Sequence, residues 1–286
     1  MLWAVLGARG GAELIRYERW PGWLTPYVKI QPVNKPFFSL ITVCFNAERS
    51  IASTLQSARE QTCRDFENVV VDGASTDGTL GVVHRFDDLP LAITSEPDQG
   101  IYDAMNKGVA RAEGEVLYFL NADDQLHDPE VLERVRQVFA SNPEIDLVWG
   151  NVVYDNPDGS SMARRFEHIH PGNLVFLDLN HQGAFARKRL FDRIGTFNTA
   201  FRINADYDWF LRALGSGAVW EYADINVARF HTGGTHARNV KKLRDERHAV
   251  RMQYIHPLKY RVGALGYNLA HKARRLWRIL RGKEKL

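Results

Sequence analysis

FFSLITVCFNAERS, residues 37–50, is an apolar, β-branched run that breaks off into a polar turn, with a helical stretch predicted from about Ser50 to Gln61. A continuous apolar run of this length suits a strand buried on both faces of a parallel sheet. The same unit recurs downstream. FENVVVD (66–72), LAITS (91–95) and EVLYFLN (115–121) read as strands, and helices are predicted over 79–86 and 101–112. Strands alternating with helices at this spacing imply βαβ units and a doubly wound, Rossmann-like α/β sheet flanked by helices. In such sheets ligands bind beyond the carboxyl ends of the strands. The loops after Phe45, Asp72, Ser95 and Asn121 are therefore the ones to read for chemistry.

Outside this frame the pattern is weaker. Residues 1–36, with prolines at 21, 26, 32 and 36, read as an irregular arm. Short strands are expected near 147–155 and 163–167, a helix over 205–214, and basic helical sequence from about 240 to 280. The expected division is an arm (1–36), a main domain (37–235, in two halves, 37–124 and 125–235), and a basic amphipathic helical tail (236–286).

The net charge of +3 conceals an asymmetry. Residues 241–286 hold 14 Lys and Arg against 3 Asp and Glu, so a basic tail is attached to an acidic body. In HKARRLWRILRGKEKL (271–286) the apolar side chains align along one face. Such a helix suits an anionic membrane surface or packs on the domain. An acidic body with no nucleic-acid motif argues against nucleic acid. The N-terminal apolar run is short and lacks preceding basic residues, and no stretch approaches the roughly 18 apolar residues of a membrane span. A cytoplasmic protein, peripheral at the inner face of the membrane, is expected. Cys44 and Cys63 are expected to be packed thiols.

Each of the four loops carries polar residues. TVCFNAERS places Asn46 between a strand and a helix start, where backbone N–H groups face ligands. VDGASTDGT ends a buried strand on Asp72, whose carboxylate suits a base N–H or a ribose hydroxyl; Ser75 and Asp77 serve a ligand or cap the next helix. SEPDQGIYDAMNKG offers Gly100 for close approach, a mid-helix Asn106 fit for a ligand or for bracing a loop, and Lys107, read as solvated. FLNADD delivers Asn121, Asp123 and Asp124 together. Adjacent carboxylates repel, and oxygen ligands in an open site favour Mg²⁺ or Mn²⁺. Further on, INADYDWFLRAL starts a helix with Asp206 and Asp208, either as helix-dipole partners or with Asp206 as a general base.

Taken with HQGAFARKRLFDRIGTFN (181–198), these motifs over 38–234 resemble the inverting family 2 glycosyltransferases, in particular bacterial members that build exopolysaccharides, O-antigens and envelope glycolipids. The resemblance implies a GT-A fold and single-displacement transfer from a UDP-, GDP- or dTDP-linked sugar to a glycan or lipid-linked acceptor. It places the donor nucleotide on Thr42, Val43, Asn46, Asp72, Ser75, Asp98, Gly100, Asn106, Asn121, Ala122 and Asp123, with Asp72 at the base. It gives Asp123, with His231 as a further candidate, to Mn²⁺ or Mg²⁺, and Asp206 to the general base. His181 and Gln182 fall between donor and acceptor, and Asp124 toward the sugar. The chain departs from the pattern at Asn121, where many relatives have Asp, and at Ala205, where many have Glu. A nucleotidyltransferase on a related fold would show a glycine-rich basic loop where NAERS stands. A degenerate, non-catalytic nucleotide-binding module would not be expected to keep all these carboxylates.

Overall fold

The strand–helix alternation is realised as a nine-stranded mixed sheet. In the computed structural model the residues described are 3–8, 11–20, 23–27, 35–170, 173–177, 179–231 and 240–255; before residue 35 only the backbone pairing is described. The first four strands of the large sheet are β4 (Phe38–Cys44), β5 (Phe66–Asp72), β6 (Leu91–Ser95) and β7 (Val116–Phe119), parallel and ordered 6-5-4-7. Helices α1 (Ile51–Arg59), α2 (Thr79–Val83) and α3 (Ile101–Arg111) connect them. The chain leaves β4 toward β5 on one side and returns to β7 on the other, so a topological switch point lies between β4 and β7.

Packing fixes α3 on this half. An added Cβ at Gly108 would sit 2.4 Å from Ile41 Cγ2, so the helix rests on β4 at a distance only glycine permits. α1 is tied in by Thr54, whose buried hydroxyl donates to the carbonyls of Asp124 (2.8 Å) and Asn121 (3.3 Å). The acidic loop is thereby held against the helix that follows β4.

The second half builds the rest of the sheet from β8 (Asp124–Leu126), β9 (Leu147–Asp155), β10 (Ser161–Arg164), β11 (Ala184–Arg187) and β12 (Trp220–His231). β11 is antiparallel to both β7 and β9, β12 lies parallel to β9, and β8 closes the far edge. Helices α4 (Val131–Ser141), α5 (Lys188–Ile194), α6 (Ala205–Gly215) and α7 (Val240–Tyr254) complete the described elements. Two apolar clusters form the core, one on each face of the sheet; Trp209, Phe191 and Phe197 of the larger one pack ring against ring.

Several expectations are corrected. Part of the arm is regular: β1 (Trp3–Ala8), β2 (Gly11–Trp20) and β3 (Trp23–Tyr27) pair as an antiparallel meander. The signal was present in Arg9-Gly10 and Pro21-Gly22, dipeptides ending in glycine between strand-forming runs. The strand expected at 163–167 lies at 161–164, and β11, α4, α5 and β12 were not foreseen. Both cysteines are buried and free, as expected. No helix among the described residues is long and apolar enough to cross a membrane. The basic stretch 271–286 lies outside the described residues.

Candidate active site

A cleft of about 610 Å³ opens at the carboxyl ends of β4 and β7, on the switch point. Its floor is Val43, Cys44, Asn46, Asn121, Ala122 and Asp123; Asp98 and Gly100 come from the loop before α3, and Gln182, Ile203 and Phe230 from the second half. The expected residues Val43, Asn46, Asp98, Gly100, Asn121, Ala122, Asp123 and Gln182 are thus brought together.

Asn46 has a left-handed backbone, φ 50°. Its Oδ1 accepts from the Thr76 amide (2.9 Å), and its own amide donates to Ser75 Oγ (2.8 Å). Asp98 Oδ1 accepts from the Gly100 amide at 2.7 Å, which shapes the turn into α3. Gly100, with φ 123°, adopts a conformation that side-chain-bearing residues rarely take.

The acidic loop separates two neighbouring carboxylates. Asp123 is exposed in the cleft, while Asp124 is buried and neither of its oxygens has a hydrogen-bond partner. Burial, reinforced by the charge of Asp123, pushes the Asp124 carboxyl up to about 7; the Gln182 amide approaches without completing a bond. Asn121 is buried at the cleft wall, with Nδ2 3.0 Å from His181 Nε2 and Oδ1 unpartnered.

Behind this wall lies a polar chain. His181 Nδ1 is 2.9 Å from Asp206 Oδ2, and Asp206 Oδ1 accepts from Tyr102 Oη (3.0 Å) and from the Tyr207 amide (2.8 Å). Tyr118 Oη donates to the Gln182 carbonyl (2.8 Å), anchoring the 3-10 turn His181–Gly183. Burial opposes ionisation of Asp206, but His181, Tyr102 and the Tyr207 amide hold its carboxyl below the usual range. Burial likewise opposes protonation of His181, and the hydrogen bond and charge of Asp206 outweigh it and raise the imidazole above its ordinary value. The proton on Nδ1 faces Asp206.

Some expected residues do not face the cleft. Asp72 is fully buried and accepts from the Ser75 amide (3.0 Å), Ser75 Oγ and Ser95 Oγ (2.6 Å). Burial works against its charge, but these donors hold the carboxyl below the usual range. Asp72 and Ser75 brace the loop that positions Asn46. Thr42 is fully buried within β4. Asn106 spends both ends of its amide on the Phe197 backbone, 2.9 Å each way, so it braces a loop rather than meeting a ligand. Lys107 donates to the Pro97 carbonyl (2.7 Å) and pairs with Glu96 and Asp103, so it too is a brace and not a solvated side chain. His231 ends β12 opposite Asp155 and does not line the cleft. Among the described residues no three His, Cys, Asp or Glu side chains converge into a metal-ligand group.

The cleft also contains residues the sequence did not single out. Phe45, 63% exposed, stands at its mouth, and Arg202 and Lys242 line it. Phe45 carried a readable signal, an aromatic ring one residue past the last buried strand position. Arg202 and Lys242 carried none, because both lie far along the chain. Cys44 also touches the cleft, but burial and the neighbouring Asp72 push its thiol up to about 12, so it is inert as a nucleophile.

The strand order, with its cleft at the switch point beside an acidic loop, is that of a GT-A glycosyltransferase fold. The chain belongs to Glycosyl transferase family 2, whose family model matches residues 39–208. It is 37% identical over 206 residues, 70% of this chain and 78% of the relative, to a PGL/p-HBAD biosynthesis glycosyltransferase of Mycobacterium bovis. It is 29% identical over 203 residues, 66% of this chain and 64% of the relative, to the glycosyltransferase AglE of Haloferax volcanii. Among solved structures it resembles Staphylococcus aureus TarS 1-349 in complex with UDP-GlcNAc, with a TM-score of 0.61 at 21% identity over 71% of this chain. That match spans 60% of the TarS fragment, less than two thirds of its length. It also resembles the mannosyltransferase PcManGT of Pyrobaculum calidifontis in complex with GDP-Man and Mn²⁺, with a TM-score of 0.55 at 18% identity over 88% of this chain and 85% of that one. The protein is a glycosyltransferase.

Proposed function

We propose that the protein transfers a sugar from a nucleoside diphosphate sugar to a hydroxyl of a glycan or lipid-linked acceptor in cell-envelope synthesis, with inversion at the anomeric carbon. The observation that carries this reading is the cleft. Its floor presents exposed Asp123 beside the unpartnered Asn121 oxygen, and the Asp206–His181 pair lies directly behind that floor.

Asp123 and Asn121 fit a divalent cation. One free carboxylate beside one unpaired amide oxygen is a partial, hard, all-oxygen shell, the kind that Mg²⁺ or Mn²⁺ completes with phosphate oxygens and water. When bound, such an ion neutralises charge developing on the leaving diphosphate. The protein's own groups do the rest. Phe45 offers an aromatic face at the mouth of the cleft, Gly100 lets the backbone approach the donor closely, and Gln182 faces the cleft from the acceptor half.

Asp206 is the general base of this reading. Its depressed pKa keeps it ionised at neutral pH, ready to take the acceptor hydroxyl proton as the bond to the anomeric carbon forms. His181 and Tyr102 hold the carboxylate in place. Residues 37–124 supply the nucleotide side of the cleft, residues 125–235 the acceptor side, and the basic tail a contact with anionic membrane where a lipid-linked acceptor resides.

The test is calorimetric titration of UDP, GDP and dTDP, with and without Mn²⁺, on wild type and Asp123→Ala. Metal-dependent binding of one nucleotide, weakened in the variant, is expected. Absence of binding by wild type under all these conditions rejects the reading.

A further inference from the structure

Helix α7 lies beyond the family match, which ends at residue 208, yet it reaches the cleft. Its Glu246 carboxylate accepts from the backbone amides of Arg202 (2.7 Å), Ile203 (2.7 Å) and Asn204 (2.8 Å). These three residues lead into α6, whose N-cap Asn204 makes no capping bond with its own side chain. Glu246 therefore ties the segment that enters α6, including the amide of the N-cap itself, to another helix. Further contacts lock the same docking: Arg251 Nε donates to Tyr207 Oη (3.1 Å), Tyr254 Oη to Asp208 Oδ1 (2.6 Å), and the Asn204 amide to the Leu243 carbonyl (3.1 Å).

Lys242 lies one turn before Glu246, so the two share a face of α7. The docking that places Glu246 on 202–204 brings Lys242 to the cleft wall, exposed, where it lies with Arg202. Arg202 is itself aimed from that loop, one of its guanidinium nitrogens donating to the Gln99 carbonyl. The cleft lining thus carries two carboxylates, Asp98 and Asp123, and two cations, Arg202 and Lys242.

We propose that Lys242 is a donor-site residue, its ammonium contacting the diphosphate of the nucleotide, and that Glu246 is the positioning residue that brings it there. The inference rests on the reading of the cleft as a nucleoside diphosphate site. A mobile point charge on a flexible stem suits a group that must be held before transfer and released after it. The same Glu246 bonds order the loop four residues before Asp206, so one carboxylate sets both the leaving-group cation and the approach to the base.

Calorimetric titration in Mn²⁺ of UDP and GDP, and of uridine and guanosine, on wild type, Lys242→Ala, Arg244→Ala and Glu246→Ala tests this. Lys242→Ala is expected to weaken diphosphate binding roughly tenfold, the scale of one charge-assisted contact, and to leave nucleoside binding unchanged. Glu246→Ala is expected to show the same diphosphate loss together with reduced transfer, and Glu246→Gln, which keeps an acceptor oxygen, to recover part of both. Arg244 lies on the same helix away from the cleft, and its variant should bind as wild type does. Wild-type diphosphate affinity in Lys242→Ala, or equal losses in Lys242→Ala and Arg244→Ala, overturns the proposal. If wild type itself binds neither of these diphosphates nor dTDP, the cleft is not a donor site and both readings fall together.

Discussion

At the scale of single residues, the Asp206–His181 pair concentrates the chemistry. Each holds the other charged against the cost of burial, so removing one shifts the other. In Asp206→Asn His181 loses the hydrogen bond and charge that outweigh its burial and keeps only the more distant charges of Asp124 and Asp123. Its imidazole pKa, followed by NMR, should fall from its raised position. An unchanged His181 titration would separate the two groups. Transfer by the same variant should fall at least about 100-fold while donor binding persists, as for loss of a general base. The pair also predicts a pH window for stability. The depressed Asp206 contributes above its unfolded value near 3.9 and loses that contribution as pH falls through its folded value. The raised His181 contributes below about 6.5 and loses its share as pH rises through its folded value. Their joint contribution is therefore fullest between roughly pH 4 and 6.5, and thermal unfolding of wild type against His181→Ala across pH should diverge most there. What was legible at this scale was the acidic set itself. Asp123, Asp124 and Asp206 stand out in any reading, but that Asp124 is sealed away while Asp123 is open is a matter of one rotation along the chain, decided by β8 pairing with β12.

At the scale of elements, α3 shows how packing and bracing share one helix. Gly108→Ala places a methyl against Ile41, itself fully buried and unable to move aside, and should cost roughly 1–3 kcal/mol by overpacking. Urea unfolding would read that loss, and a neutral result would mean that α3 can lift off β4. Asn106→Ala leaves the Phe197 amide and carbonyl without their partners and should cost about 1–3 kcal/mol while nucleotide affinity stays at the wild-type level. A selective loss of nucleotide binding with unchanged stability would return Asn106 to the ligand. A mid-helix asparagine announces that something needs it, but periodicity does not say whether the partner is a ligand or the chain 91 residues away. The parallel strands and α1 to α3 were legible because each is a buried run bounded by polar turns. β11 and β12 were not, because their registers come from distant partners.

At the scale of the whole molecule, the two halves of the chain meet at the cleft, and α7 clasps the second half from outside the matched domain. The segment beyond residue 255 lies outside the described residues, but its composition supports a prediction. Deleting 258–286 should reduce sedimentation with anionic liposomes while nucleotide binding is kept, since α7 ends at Tyr254. Equal liposome binding by the shortened protein would assign the tail to packing instead. The amino-acid sequence alone determined the class of fold, the loops that carry chemistry and the acidic residues of the site, because hydrophobic period and strand–turn–helix order are local properties. Tertiary structure alone decided which polar groups reach the cleft. Asp72, Ser75 and Asn106 satisfy each other or the backbone, while Phe45, Arg202 and Lys242 arrive from separate elements, and whether a polar side chain meets a ligand depends on partners that only folding brings within hydrogen-bond distance.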